Sequence, residues 1–203
     1  MSVISMGKAL IDTVKIDLKA NKIAFTKEIK KATKKAHVDL ERKVTKEIKQ
    51  IKTEADYIKM LKVFYHYFQP LSEQIDRFIT ADVLADKAQR RNASSLKHDI
   101  EELGGSISSD ASPQLPEITN VHQALGAMYV FEGSILGGRF VIEMLKKRSM
   151  KRGFSFFQGY GEGGGEKWNY FLTVLNQHAE SDEAKQEINV AASQTFHCFS
   201  LLF

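Results

Sequence analysis

Apolar residues recur every three or four positions along most of the chain, and no stretch alternates cleanly between apolar and polar. That period belongs to helices. Between 24 and 50, Phe25, Ile29, Ala32, Ala36, Leu40, Val44 and Ile48 mark one stripe, which predicts a long amphipathic helix. Residues 1–20 carry a weaker stripe, Ile4, Leu10, Ile11, Val14 and Leu18, and read as a short helix or loosely attached arm. A second helix is predicted over 54–80, entered through Thr53 or Glu54-Ala-Asp56. Its face is broad and aromatic, from Tyr57 through Phe64, Tyr65 and Phe68 to Phe78, and Pro70 should kink or divide it.

A third helix is predicted over 84–103, stopped by Gly104-Gly105. A Ser- and Pro-containing loop covers 106–117. The next run starts near Thr119 or Asn120 and reaches about Arg148, and it contains Gly126, Gly133, Gly137 and Gly138. Each glycine costs a helix interior roughly 1 kcal/mol relative to alanine, so something must approach this backbone closely. Gly133 and Gly137, four apart, share a face; that something is a bulky flat object or a neighbouring helix. Residues 153–165 read as a flexible, glycine-rich connection anchored by Phe154, Phe156, Phe157 and Tyr160. With no strand before it and no Lys-Ser/Thr ending, its glycine pattern does not make a phosphate loop. Helices over 166–178 and 182–203, the latter capped by Ser181, complete a single all-α domain of seven or eight helices. In outline, 1–24 is an arm or short helix and 25–203 the helical domain.

Composition narrows the class. The 203 residues are 43% hydrophobic and 27% charged, ordinary for a globular domain. The lone Cys198 excludes an internal disulfide framework and fits a reducing cytoplasm. Glu132, Arg139 and Glu143 interrupt the most apolar stretch, 124–145, so no membrane span is expected. Net charge is only +4, but Lys19–Lys52 holds twelve Lys/Arg against four Asp/Glu. That stretch is a solvated helix face or a surface for an anionic ligand or acidic protein. It matches no nucleic-acid-binding signature.

Of the histidines, His66, His98 and His122 read as surface or boundary positions. His37 borders the apolar stripe of the first long helix, in a row with Thr33 and Glu41 at four-residue spacing. Glu41 can reach the imidazole Nδ1, directly or through water, which leaves Nε2 free as an acceptor or metal ligand. By itself, a lone histidine of this kind is more often structural.

Two segments together resemble a known family. Ala32-Thr33 followed by His37-Val-Asp-Leu40-Glu41 is similar to the proximal helix of heme oxygenases, and Tyr129-Val-Phe-Glu-Gly-Ser-Ile-Leu-Gly-Gly138 to their distal helix. The likeness is greatest to the bacterial branch often associated with phytochromes. It continues through Thr53–Tyr57, Leu96–Gly104, Phe157–Gly161 with Trp168 and Phe171, and Thr195-Phe196, covering about 25–203 in family order.

The resemblance implies an all-α heme-oxygenase-like bundle with heme between the two helices. It implies oxidative opening of heme to biliverdin with release of carbon monoxide and iron. O2 and electrons from an NADPH-dependent reductase or a ferredoxin would be required, with the protein cytoplasmic and binding neither nucleic acid nor membrane. On it, His37 is the axial ligand to heme iron, Glu41 its partner, and Gly133, Gly137 and Gly138 let the distal helix lie close above the iron. A neutral imidazole leaves the opposite iron site open, and a backbone wall there is sterically low. Ser134 stands where many members carry an aspartate; the phytochrome-linked branch also reads Gly-Ser. The anionic propionates need cations: Lys34 and Lys30, one and two turns before His37, are candidates, with Lys167 a third. The remaining basic surface suits an acidic electron donor. The alternative is a non-catalytic heme carrier or sensor on the same scaffold. A di-metal scaffold would need paired Glu-x-x-His motifs, which the sequence lacks.

Overall fold

One helix, α1 (Val3–Gln50), runs 48 residues without a break. Past Gly7 its sequence is rich in Ala, Leu, Lys and Glu, good helix formers, and contains neither glycine nor proline. The computed structural model describes residues 3–107 and 112–203, with side chains from Phe25 onward. The apolar face expected within residues 1–20 therefore lies outside the described side chains, as does part of the 106–117 loop. Phe25, Ile29, Thr33, Leu40 and Ile48 form the buried stripe of α1, while Ala32 is exposed.

α2 (Glu54–Asp76) opens on a capping box in which Asp56 N donates to Thr53 Oγ1 and Thr53 N to Asp56 Oδ2, both at 3.1 Å. Pro70 lies inside it without dividing it, and the helix stops four residues before the expected end. The helix predicted over 84–103 is shorter still. A 3-10 turn, Lys87–Gln89, gives way to extended backbone at Arg90 before α3 (Ser94–Glu102). The side chains of Arg90 and Arg91 are drawn into the protein here, which a continuous helix would not permit. Gly104, at φ +82°, stops α3 as its sequence indicates. Gly105 N donates to Ile100 O at 2.9 Å.

The glycine-bearing run is broken. α4 (Val121–Gly133) leads into a 3-10 turn, Ser134–Gly137, then α5 (Gly138–Lys147). The connection at 153–165 is more ordered than its composition suggested. It holds α6 (Ser155–Gln158) and a 3-10 turn at Gly161–Gly163, and buries Phe156 and Phe157. Asp99, fully buried, accepts from Ser155 N and Phe156 N at 2.9 Å each and so caps α6 from α3. α7 (Gly164–His178) and α8 (Asp182–Ser200) finish the bundle, and among the described residues all regular structure is helical.

α4 packs chiefly on α8, and α1 on α8 and α7. The approach of α4 to α8 explains Gly126: a Cβ there would lie 2.3 Å from Ile188 O. An aromatic core joins α2, α4, α6 and α8; the rings of Phe64 and Phe199 meet edge to face at 5.0 Å.

Candidate functional site

A cavity of about 1270 Å³ separates α1 from the α4–α5 break. Ordinary small-molecule sites occupy roughly 300–1,000 Å³, so this one suits a large ligand. α1 contributes Lys30, Thr33, His37 and Glu41; the opposite wall contributes Tyr129, Gly133, Ser134 and Gly137. Phe64, Phe68, Phe156, Trp168 and Phe199 supply apolar depth. Val38, Leu136 and Phe140, all exposed, form an apolar rim.

The structure thus brings together the two segments singled out in the sequence. His37 faces this space rather than the core, its side chain 55% exposed, and its ring lies 5.4 Å from that of Phe196. The expected pairing of Glu41 with Nδ1 is corrected: Glu41 Oε1 lies 3.5 Å from His37 Nε2. In this ring orientation Nδ1 is the nitrogen away from the carboxylate. A half-turn about χ2, which has broad two-fold preferences, exchanges the two.

The glycines separate by what surrounds them. A Cβ on Gly137 would meet nothing within 4 Å, so its bare face opens on the cavity. At Gly133 a Cβ would touch the Trp168 ring at 3.4 Å. Gly138 is different: its Cβ would sit 1.9 Å from Phe157 O, and it does not line the cavity. The expectation that Gly138 faces a ligand is therefore corrected; it is small so that α5 can pass over α6.

The three lysines also separate. Lys30 lines the cavity; Lys34 and Lys167 do not. Lys167 Nζ is held by Asp86 at 3.2 Å and lies over the Tyr160 ring, which turns it from the cavity mouth. On α1, Arg42, Lys43, Lys46 and Lys49 also line the space, though Lys43 Nζ donates to Ser200 O at 2.6 Å.

Sequence reading missed the polar layer behind the α4–α5 wall. Arg90 is buried, with Nη1 donating to Glu132 Oε2 and Nε to Asp86 Oδ1, both at 2.9 Å. Burial opposes its charge, but the two carboxylates outweigh that and raise its pKa. Tyr160 Oη donates to Glu132 Oε1 at 2.9 Å; burial first and Glu132 second push its pKa up to about 12. Arg91 N donates to Tyr160 Oη at 2.8 Å. Burial also raises the pKa of Tyr129, with Thr33 beside it counteracting. The one signal for this layer was Glu132 itself, a charge inside the most apolar run.

α4 and α5 together, Val121–Lys147, form the one helical stretch among the described residues long and apolar enough to cross a membrane by length and composition. Its buried Glu132, paired with Arg90, fits a core element better.

Fold and cavity define an all-helical protein with a large ligand site between its first helix and a broken, glycine-bearing one. The sequence model of the heme oxygenase family matches residues 23–203. A heme oxygenase of Xanthomonas campestris pv. campestris (strain 8004) is 29% identical over 146 residues, covering 70% of this chain and 86% of the relative. Two solved structures share the fold. The heme oxygenase of Neisseria meningitidis, determined in NO- and CO-bound forms, has a TM-score of 0.76 at 21% identity, covering 88% of this chain and 89% of that one. That of Leptospira interrogans has a TM-score of 0.70 at 17% identity, covering 88% and 97%. The chain belongs to the heme oxygenase family, oxidoreductases that open the heme ring.

Proposed function

We propose that this protein binds heme between His37 and the Gly133–Gly137 strip. There it opens the ring to biliverdin, releasing carbon monoxide and iron. O2 and electrons from an NADPH-dependent reductase or a ferredoxin complete the reaction, which belongs in the reducing cytoplasm that the lone Cys198 fits. The observation that carries this reading is geometric: an imidazole and the bare backbone of Gly133 and Gly137 line one cavity large enough for a porphyrin. Heme, as substrate, brings the iron that activates O2; the rest is the work of this chain's residues.

His37 offers one imidazole nitrogen as ligand, and Glu41, 3.5 Å away, stands beside the other and biases the ring orientation. On the opposite wall, Gly137 leaves open space, and among the described residues no imidazole or guanidinium lines that wall. Proton delivery there falls to ordered water beside backbone groups and Ser134. Lys30 meets an anionic edge of the ligand, with the Tyr129 hydroxyl as a second polar group on the facing wall. Lys34 and Lys167 take no part in this arrangement. The apolar residues below exclude bulk water and strengthen each polar contact. The exposed cations of α1 suit an acidic electron-donor protein.

The test is optical. Purified protein is mixed with hemin and supplied with ascorbate in air. Decay of the Soret band into biliverdin absorption is expected. A Soret band that persists while electrons and O2 are available would instead assign the protein to heme carriage or sensing.

A further inference from the structure

Behind the break between α4 and α5 lies a guanidinium that the reading above leaves without a role. Arg91 enters from the extended segment before α3. Its Nη2 donates to both Phe131 O and Ser134 Oγ, and its Nη1 to Phe156 O at 3.2 Å. The group sits between two phenyl rings, its centre 4.6 Å from that of Phe131 and 4.5 Å from that of Phe156. Its Nε is buried with no partner, and among the described residues no carboxylate hydrogen-bonds to it. The neighbouring Arg90 has two carboxylates. Burial draws the Arg91 pKa down to about 10, so it remains charged at neutral pH.

Burying that charge is costly, and although Glu132 acts on it through space, Arg91 gives its Nη2 donors to the helix break rather than to a carboxylate. Phe131 O is the acceptor that a continuous α-helix would give to the N–H four residues on, at Ile135. Arg91 Nη2 and the Ser134 hydroxyl, at 2.7 Å, both donate to it instead. The Ser134 proton is thereby committed to Phe131 O, and one oxygen lone pair is taken by Arg91. What Ser134 still presents to the cavity it lines is an acceptor alone.

We propose that Arg91 is a positioning residue: it holds the Ser134–Gly137 turn in place and fixes Ser134 Oγ as a hydrogen-bond acceptor on the distal side of the ligand. The site then orders a hydrogen-bond donor at that point, a water molecule. The proposal rests on the heme reading for what fills the cavity, but not for the network itself.

Two measurements separate those failures. In heme-free ¹⁵N-labelled protein, the Arg91 Nε–H resonance should be visible and shielded from solvent. Ser134→Ala should move it and speed amide exchange at 135–138 by roughly three- to tenfold, the value of one hydrogen bond. Ser134→Thr, which keeps the hydroxyl, should restore both. Arg91→Lys, which lacks the planar fork, should speed the same amide exchange. In hemin-loaded, reduced protein, the stretching frequency of bound carbon monoxide should rise in Ser134→Ala as the ordered donor is lost, and return in Ser134→Thr. Unchanged exchange and an unmoved Nε–H signal in Ser134→Ala would overturn the proposal even if hemin binds normally. An identical carbon monoxide frequency in wild type, Ser134→Ala and Ser134→Thr would overturn its distal role. Failure of the wild type to bind hemin would sink the heme reading and leave the heme-free result to judge the network.

Discussion

Two adjacent glycines should fail in opposite ways. Gly137 has φ −85° and ψ −11°, which any L residue can adopt, and open space where a side chain would go. Gly137→Leu should leave the heme-free protein as stable as wild type, or more stable by up to about 1 kcal/mol, the usual glycine penalty in helical backbone. The new side chain would project into the cavity proposed to hold heme. Forcing extra methylenes into a filled site costs about 1–3 kcal/mol, which weakens hemin binding by roughly 5- to 150-fold at 1.4 kcal/mol per decade. At Gly138 even one methyl group would sit 1.9 Å from Phe157 O, and a backbone carbonyl cannot swing aside as a side-chain tip can. Gly138→Ala should cost about 1–3 kcal/mol of stability, lowering Tm by roughly 2–12 °C for a chain of this size. Calorimetry of the heme-free variants and hemin titration followed at the Soret band would measure both. Wild-type hemin affinity in Gly137→Leu, or a Tm loss there matching that of Gly138→Ala, would refute the distinction drawn between the two positions.

Other outcomes follow from the same geometry. Lys30→Ala should weaken hemin binding by roughly 3- to 10-fold, about one exposed charge-assisted contact, whereas Lys34→Ala and Lys167→Ala should match wild type in the same titration. Asp99→Ala strips the cap from α6 and leaves two N–H groups without an acceptor; denaturant unfolding should show a loss of about 1–3 kcal/mol. The pKa of His178 is lowered from 6.5 by burial and then by His122, with Glu180 opposing. The folded state therefore binds fewer protons at this site than the unfolded one, and the stability involved is complete above about pH 6.5 and lost as pH falls below it. Tm should drop on acidification through that range, and drop less in His178→Gln; parallel curves for the two proteins would count against this. Glu132→Ala, leaving Arg90 buried beside Asp86 alone, should cost about 3–5 kcal/mol, read by chemical denaturation.

What the sequence revealed, and what it hid, divides along physical lines. The helices were legible because a 3.6-residue period is a local property: the stripe of Phe25, Ile29 and Leu40 needs no knowledge of its partners. The cavity walls were legible because glycine at 133 and 137 contradicts helix propensity, and such contradictions need a cause. The break between Gly133 and Gly138 was less so, since the donor on Phe131 O comes from Arg91, forty residues earlier. Arg90-Arg91 carries no local signal, since its partners Glu132, Tyr160 and Ser134 meet it only after folding. Gly138 resembled Gly137 in sequence for the same reason: only the path of α6 distinguishes them. The residues at 153–165 read as a connection because their cap, Asp99, lies on another helix.

The central claim is that an imidazole at position 37 grips one face of a heme whose other face lies on the glycine strip. Its most direct test is the optical spectrum of hemin-loaded His37→Ala protein, taken before and after free imidazole is added. The account predicts loss of the histidine-ligated spectrum together with turnover, and recovery of the spectrum when imidazole fills the space left by the side chain. A spectrum identical to wild type without added imidazole would contradict it.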